Sequence, residues 1–242
     1  LKYCKGEDSM DTGFVGDLVL MMLSYMYIIL VIFVADMAGK TLNLSKKTAR
    51  KILHILTGNL VLALPFYSHP VFPLMVASPF ILITFLASPH SPLENVRKKL
   101  SLLSDKTEIG HPLGLVFYSF SFTILTALFF NRPQIVAAGV MPMAYGDGAA
   151  ALIGEHYKKL KYKVIADKSV VGSLALLTFG FVSLALSLFF YSFFPSPEQF
   201  DIIRLSLSVS LLATLVEALS PRGADNLFVP ISCATLAYFL VK

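Results

Sequence analysis

The chain has 242 residues, 14% charged and 56% hydrophobic, with a net charge of +5 and a mean hydropathy of +0.72. An ordinary soluble protein carries roughly 25% charged residues, and a globule of this length would lack the polar side chains to cover its surface. A soluble domain, a nucleic-acid module and a disordered tail are therefore set aside in favour of a polytopic membrane protein, in which a pI near 9.1 reports orientation first.

Cys4 and Cys233 stand at opposite ends of the chain with no CxxC partner, so neither a disulfide framework nor a zinc site is expected. The first residue is Leu1; an upstream start is expected and no targeting signal is read. A hydrocarbon core about 30 Å thick asks for about 20 apolar residues per helix. Eight stretches approach that length, at 14–35, 52–68, 70–87, 112–130, 133–153, 172–194, 202–219 and 224–241. The second and third meet at Ser68-His69-Pro70, which reads as a tight turn. No fixed-period repeat or low-complexity linker divides the chain. The expectation is one all-α domain over 1–242, a transmembrane bundle of about eight spans.

Basic residues set the orientation. Segments 36–51, 88–111 and 154–168, with Arg222, hold 15 of the 20 lysines and arginines. These loops are placed in the cytoplasm and both termini outside. The setting is a cell membrane, or the endoplasmic reticulum membrane in a eukaryote.

Ionisable side chains inside apolar spans cost roughly 2.5–3.5 kcal/mol each at the bilayer centre on insertion scales, so each needs a reason. Asp17 falls near the outer end of its span, where headgroup water can reach it. His54, Asp147 and Glu217 share the inner part of theirs, Asp147 about 10 Å deep at helical rise. Around Asp147, the residues Gly146, Ala150 and Gly154 recur every four positions, which is the spacing of a helix-packing stripe. The stripe does not explain the acid, whose flanking Gly146 and Gly148 would let backbone approach a ligand while the carboxylate faces a divalent cation.

The next segment carries a run of lysines from Lys158 to Lys163, then Lys168-Ser169-Val170-Val171-Gly172-Ser173. It reads either as a headgroup anchor or as lysines for a polyphosphate followed by backbone N–H groups at a helix start. Glu217, Arg222, Asp225 and Asn226 crowd the joint between the last two spans, where a helix cap is the plainest role for the last two. Arg50, His54 and Gly58 share a helix face. His69, His90, His111 and His156 have no such company and are given no role.

Together these residues resemble the CTP-dependent lipid-alcohol kinases, the family of dolichol, phytol and CTP-dependent diacylglycerol kinases. The family's Arg-Lys-x-x-His start matches Arg50, Lys51 and His54. Its DxxAxxxGxxxGxxK pattern and later KxxEG match at Asp147, Ala150, Gly154, Lys161, Lys168 and Gly172. Lys158 replaces the second glycine, Val171 replaces the glutamate, and the spacer before Lys168 is one residue longer. The ending from Glu217 through Ser220-Pro221-Arg222-Gly223 to Asp225-Asn226 resembles the phytol-kinase branch.

The resemblance implies that a lipid hydroxyl attacks the γ-phosphate of CTP, giving CDP and a lipid monophosphate, with Mg²⁺ as cofactor. Asp147 would hold the metal, with Asp225 or Glu217 beside it. Lys161 and Lys168 would hold phosphates, Arg222 would meet the transferring charge, and Glu217 would take the alcohol proton, with His54 at the catalytic centre. Arg50, Lys51, Gly146, Gly148, Gly154, Ser169, Gly172, Ser173 and Asn226 complete the expected nucleotide site. The partners implied are a lipid alcohol, a nucleoside triphosphate and the bilayer, with no nucleic acid. A membrane cytidylyltransferase would use the same ingredients but release pyrophosphate and a CDP-lipid. A transporter would explain the spans, though duplicated halves with matching broken helices are not seen.

The basic asymmetry makes a topological prediction. A Lys159→Cys variant should resist membrane-impermeant thiol reagents in intact cells and react after permeabilisation; efficient labelling from outside would invert the assignment.

Overall fold

The structure, a computed structural model, describes residues 8–44, 46–100, 113–156, 161–163, 165, 167–195, 198–221 and 223–241. It is a helical membrane protein. The first apolar run forms α1 (Asp8–Thr41), about 50 Å long at helical rise. The second run divides into α2 (Lys46–Gly58) and a 3-10 segment (Asn59–Phe66) that contains Pro65. The third divides at Ser78-Pro79 into α3 (Val71–Ala77) and α4 (Pro79–Ala87). A short α5 (Glu94–Lys99) and α6 (Gly114–Phe129) follow.

The fifth run is α7 (Pro133–Met141), a π-helical turn (Pro142–Asp147) and α8 (Gly148–His156). The last three are α9 (Val170–Tyr191), α10 (Ile202–Leu219) and α11 (Asp225–Leu240). All eight expected apolar stretches are helical. Four are long and apolar enough to cross a membrane: Thr12–Thr41, Pro133–Gly154, Val170–Tyr191 and Ile202–Leu219. The other four, Lys51–Phe66, Val71–Ala87, Gly114–Phe129 and Asp225–Leu240, are apolar but shorter. The basic segment 154–168, expected as a plain loop, holds an antiparallel hairpin of β1 (Lys161–Lys163) and β2 (Asp167–Ser169) that pairs Tyr162 with Lys168.

The bundle is built around the fifth run. Ile135, Val136, Ala137, Ala138 and Val140 are completely buried, as expected of a helix apolar on every side. Around it pack α6, α9, α10, α11 and the 3-10 segment, through Phe122, Leu125, Leu184, Val209 and Ala234. By contrast α1 presents Phe14, Met22, Met26, Ile29 and Phe33 outward, a long apolar face that suits lipid rather than water.

Prolines break these helices, and hydroxyls from neighbouring helices repair the breaks. A proline has no N–H to return to the carbonyl four residues back, and in hydrocarbon that carbonyl needs another donor. Tyr25 Oη donates to the Met75 carbonyl behind Pro79, at 2.6 Å. Ser121 Oγ donates to the Asn226 carbonyl behind Pro230, at 2.8 Å, and Tyr191 Oη donates to the Val61 carbonyl in the 3-10 segment that contains Pro65, at 2.9 Å. Each repair also ties two helices together.

Asp17 corrects its expected setting. Instead of meeting headgroup water it is buried, with 1% exposure. It accepts the backbone N–H groups of Ser68 and His69 at 2.7 and 2.9 Å, and its second oxygen lies 2.7 Å from His69 Nδ1. This carboxylate docks α1 on the turn before α3 and gives His69 the partner that sequence spacing did not reveal. Removing it in Asp17→Ala should destabilise the protein by about 1–3 kcal/mol for each backbone donor abandoned, read as an earlier unfolding midpoint in detergent. His69→Ala should cost less, because both backbone donors keep their acceptor. Equal midpoints for wild type and Asp17→Ala would refute the docking role.

Candidate active site

Three carboxylates from distant parts of the chain converge at one end of the bundle. Asp147 closes the π-helical turn, Glu217 sits in the last turn of α10 and Asp225 begins α11. One oxygen of each lies within 4.8 Å of the others, and all three residues are buried. The local backbone explains the convergence. Pro142 cannot complete the ordinary helical ladder, and the wider π turn takes up the mismatch before Asp147. Between Glu217 and Asp225 the chain reverses through Gly223, whose φ of 85° lies in the left-handed region that glycine enters without steric cost.

Two lysines meet the acids. Lys51, on α2, bonds to Asp147 Oδ2, and both side chains are nearly inaccessible. Lys168, on β2, bonds to Glu217 Oε1 and lies 4.0 Å from Asp225 Oδ2. Burial alone would lower the Lys168 pKa; the charges of Glu217, Asp225 and Asp147 outweigh it and hold the ammonium above the usual lysine range.

His54 stands one turn beyond Lys51. Its Nε2 lies 3.1 Å from Asn226 Oδ1, and its ring packs on Tyr118 at a centroid distance of 4.0 Å. The Asn226 amide nitrogen donates to the Gly114 carbonyl at 3.1 Å, which turns its oxygen toward His54. That orientation assigns the proton to Nε2 as the donor. Tyr118 and Ser121, which hold His54 and Asn226, were not singled out from the sequence. Their one signal is that they are polar groups in an apolar run.

The glycine-rich segment serves as the packing stripe that its spacing allowed. A Cβ on Gly146 would lie 2.9 Å from the Leu176 carbonyl oxygen, so this face must stay bare to pack on α9. Gly154 and Gly172 meet across the same seam, and Gly148 packs under Ile55. Asp147 is turned away from the stripe, into the site. Ser169 caps α9 by accepting the Gly172 N–H at 3.0 Å, and Ser173 Oγ bonds to Tyr162 Oη at 2.7 Å. The structure thus unites Asp147, Glu217, Asp225, Lys51, Lys168, His54 and Asn226, and gives Gly146, Gly148, Gly154, Ser169, Gly172 and Ser173 packing, capping or bracing contacts. Arg222 and the side chains of Arg50 and Lys161 lie outside the described residues.

Three carboxylates beside two lysines form a hard, all-oxygen donor set of the kind that takes Mg²⁺ or Ca²⁺ rather than a thiolate-loving metal, with cations at hand for a phosphorylated ligand. Together they form one buried, charged cluster at the end of a helical membrane bundle. No family model matches the chain, and no solved structure matches it. Named relatives do. Phytol kinase from Synechocystis sp. is 28% identical over 218 residues, covering 88% of this chain and 87% of the relative. A probable phytol kinase 1, chloroplastic, from Glycine max is 32% identical over 216 residues, covering 81% and 68%. Farnesol kinase, chloroplastic, from Arabidopsis thaliana is 27% identical over 213 residues, covering 84% and 68%. The chain belongs to the family of lipid-alcohol kinases that includes these phytol and farnesol kinases.

An Asp147→Asn variant keeps shape and removes charge. It should remain monodisperse in detergent and lose turnover by about two to three orders of magnitude. Near-normal turnover would reduce Asp147 to a residue of the packing seam.

Proposed function

We propose that the protein is an integral membrane kinase that transfers the γ-phosphate of CTP to the hydroxyl of a polyprenol- or phytol-type alcohol. The observation that carries this reading is the meeting of Asp147, Glu217 and Asp225 with Lys51 and Lys168, in a chain of this family. Phosphoryl transfer asks for charge neutralisation and in-line positioning more than for covalent chemistry, and the cluster supplies charged groups at fixed positions.

In this reading the alcohol oxygen bonds to the γ-phosphorus while the bond from that phosphorus to the β–γ bridging oxygen breaks, leaving the electron pair on CDP. Glu217 accepts the alcohol proton. Asp147, with Asp225 and Glu217, would hold Mg²⁺, which when bound neutralises phosphate oxygens. Lys51 and Lys168 lie against the acids, where triphosphate oxygens would also find them; Lys161 and Arg222 complete the phosphate contacts. His54, fixed by Asn226 and Tyr118, shapes the wall beside Asp147. Eight spans, external termini and a cytoplasmic site complete the proposal, with a cell or endoplasmic reticulum membrane as its setting. It draws on the convergence of the site at the end of the bundle that carries the basic loops.

Purified protein supplied with γ-labelled CTP and phytol should place label in a lipid monophosphate. Label entering the lipid from α-labelled CTP would instead make it a cytidylyltransferase. Lys168→Met should raise the apparent KM for CTP more than that for the alcohol; equal changes in both would remove Lys168 from phosphate binding.

A further inference from the structure

Beside the charged cluster lies a cleft of a different character. It is a half-open cleft between α1, α2, α3, α4 and α6, its volume of about 630 Å³ counting the open mouth. On α2 the cleft is lined by Leu53 and Thr57, with Leu60 just beyond in the 3-10 segment. Lys51 and His54, on the adjoining face of the same helix, meet the acids and Asn226. One helix therefore separates a polar site from an apolar cleft. Opposite it stand Leu115, Tyr118 and Phe122 of α6, and Ala77, Phe80 and Thr84 close the far side. The threonine hydroxyls donate back to their own helices, Thr57 to the Leu53 carbonyl and Thr84 to the Phe80 carbonyl. What the walls present is mainly hydrocarbon and aromatic ring.

The cleft and the site touch at one place. Tyr118 lines the cleft and packs its ring on His54, which is bonded to Asn226, the neighbour of Asp225. A molecule with one polar end and an apolar body would find its two halves matched on either side of that pair. From Leu115 to Phe122 the wall runs about 10 Å at helical rise. This is room for a short length of chain.

We propose that this cleft is the acceptor's tail slot. It receives the head-proximal isoprenoid units of the lipid alcohol, with the hydroxyl end at the His54–Tyr118 pair, and leaves the rest of the tail to the bilayer. The assignment rests on the lipid-alcohol kinase reading. It implies that affinity is set by the first isoprenoid units and changes little as the tail lengthens beyond them.

Two substitutions fill the slot from different helices, Ala77→Phe on α3 and Ser119→Phe at a further lining residue on α6, both in the full chain in lipid nanodiscs. Each should raise the KM for phytol or farnesol about tenfold or more while kcat and the KM for CTP stay within about twofold. A measurement independent of turnover uses a farnesol analogue with a diazirine on its first isoprene unit. In wild type it should cross-link within 113–129 or 51–60, be competed by unlabelled phytol, and be lost in whichever filled variant remains monodisperse. If the wild type phosphorylates no lipid alcohol yet the cross-links fall there, the kinase reading fails and the slot stands as a binding site. If it does phosphorylate the alcohol, while both variants keep wild-type KM values or the cross-links map elsewhere, the slot is wrong. Equal labelling by a phosphatidylcholine diazirine probe, uncompeted by phytol, would likewise make the cleft an ordinary lipid-filled crevice.

Discussion

Three carboxylates that meet within 4.8 Å inside an apolar bundle cannot remain there unless cations meet them. Lys51 and Lys168 satisfy that condition, and much of the architecture follows from bringing them in. Lys51 lies 96 positions from Asp147 and Lys168 lies 49 from Glu217. α2, the π-helical turn, the hairpin and the facing ends of α10 and α11 must therefore all assemble for the charges to balance. Buried ion pairs add little net stability, because desolvation consumes most of the Coulombic gain. The cohesion comes from the apolar seam along α7 and its neighbours; the charges fix how the helix ends register. At the opposite end, Arg132 pairs with Glu198, and Gln134 donates to the same carboxylate, so both ends of the bundle are latched by polar contacts.

Much of this was legible in the sequence because the residues are out of place there. Asp147, Glu217 and His54 stand in apolar runs, and a charge in such a run is an anomaly at any alignment depth. Helix positions were equally readable, since hydropathy alone marks them. Pairings were not. Nothing local links Lys51 to Asp147 or His54 to Asn226, which lie 172 positions apart. The lysine-rich segment drew attention for its charge, whereas its hairpin depends on pairing Tyr162 with Lys168 and on the brace from Tyr162 to Ser173. Ser169 and Gly172 read from the sequence as phosphate contacts, and the structure adds a cap between them, since a helix start offers the same N–H groups to a side-chain cap as to an anion. Asp17 misled for the opposite reason: its position near a span end suggested water, and only the folded turn at Ser68 and His69 reveals two backbone donors aimed at it.

The broken helices have a common logic. Pro79 and Pro230 each leave a carbonyl that a hydroxyl from another helix reaches, and the Pro230 case bears directly on the site. The carbonyl that Pro230 leaves without its helical donor belongs to Asn226, and Ser121 takes it up. Asn226 is thereby held through its carbonyl by α6 and through its amide by the Gly114 carbonyl, with its side-chain oxygen left facing His54. A discontinuity in the ladder becomes a means of aiming a side chain.

The contact between Asp17 and the 68–69 turn bears on how the protein is made. Chain elongation delivers α1 to the membrane with its carboxylate in place, but the backbone groups that satisfy it are 51 and 52 residues further along. Until the ribosome has released that turn, the acid has only water or lipid headgroups to face, and the helix is held at a shallow depth. The buried acid of α1 therefore gains its backbone partners only after the next hydrophobic segment has been made.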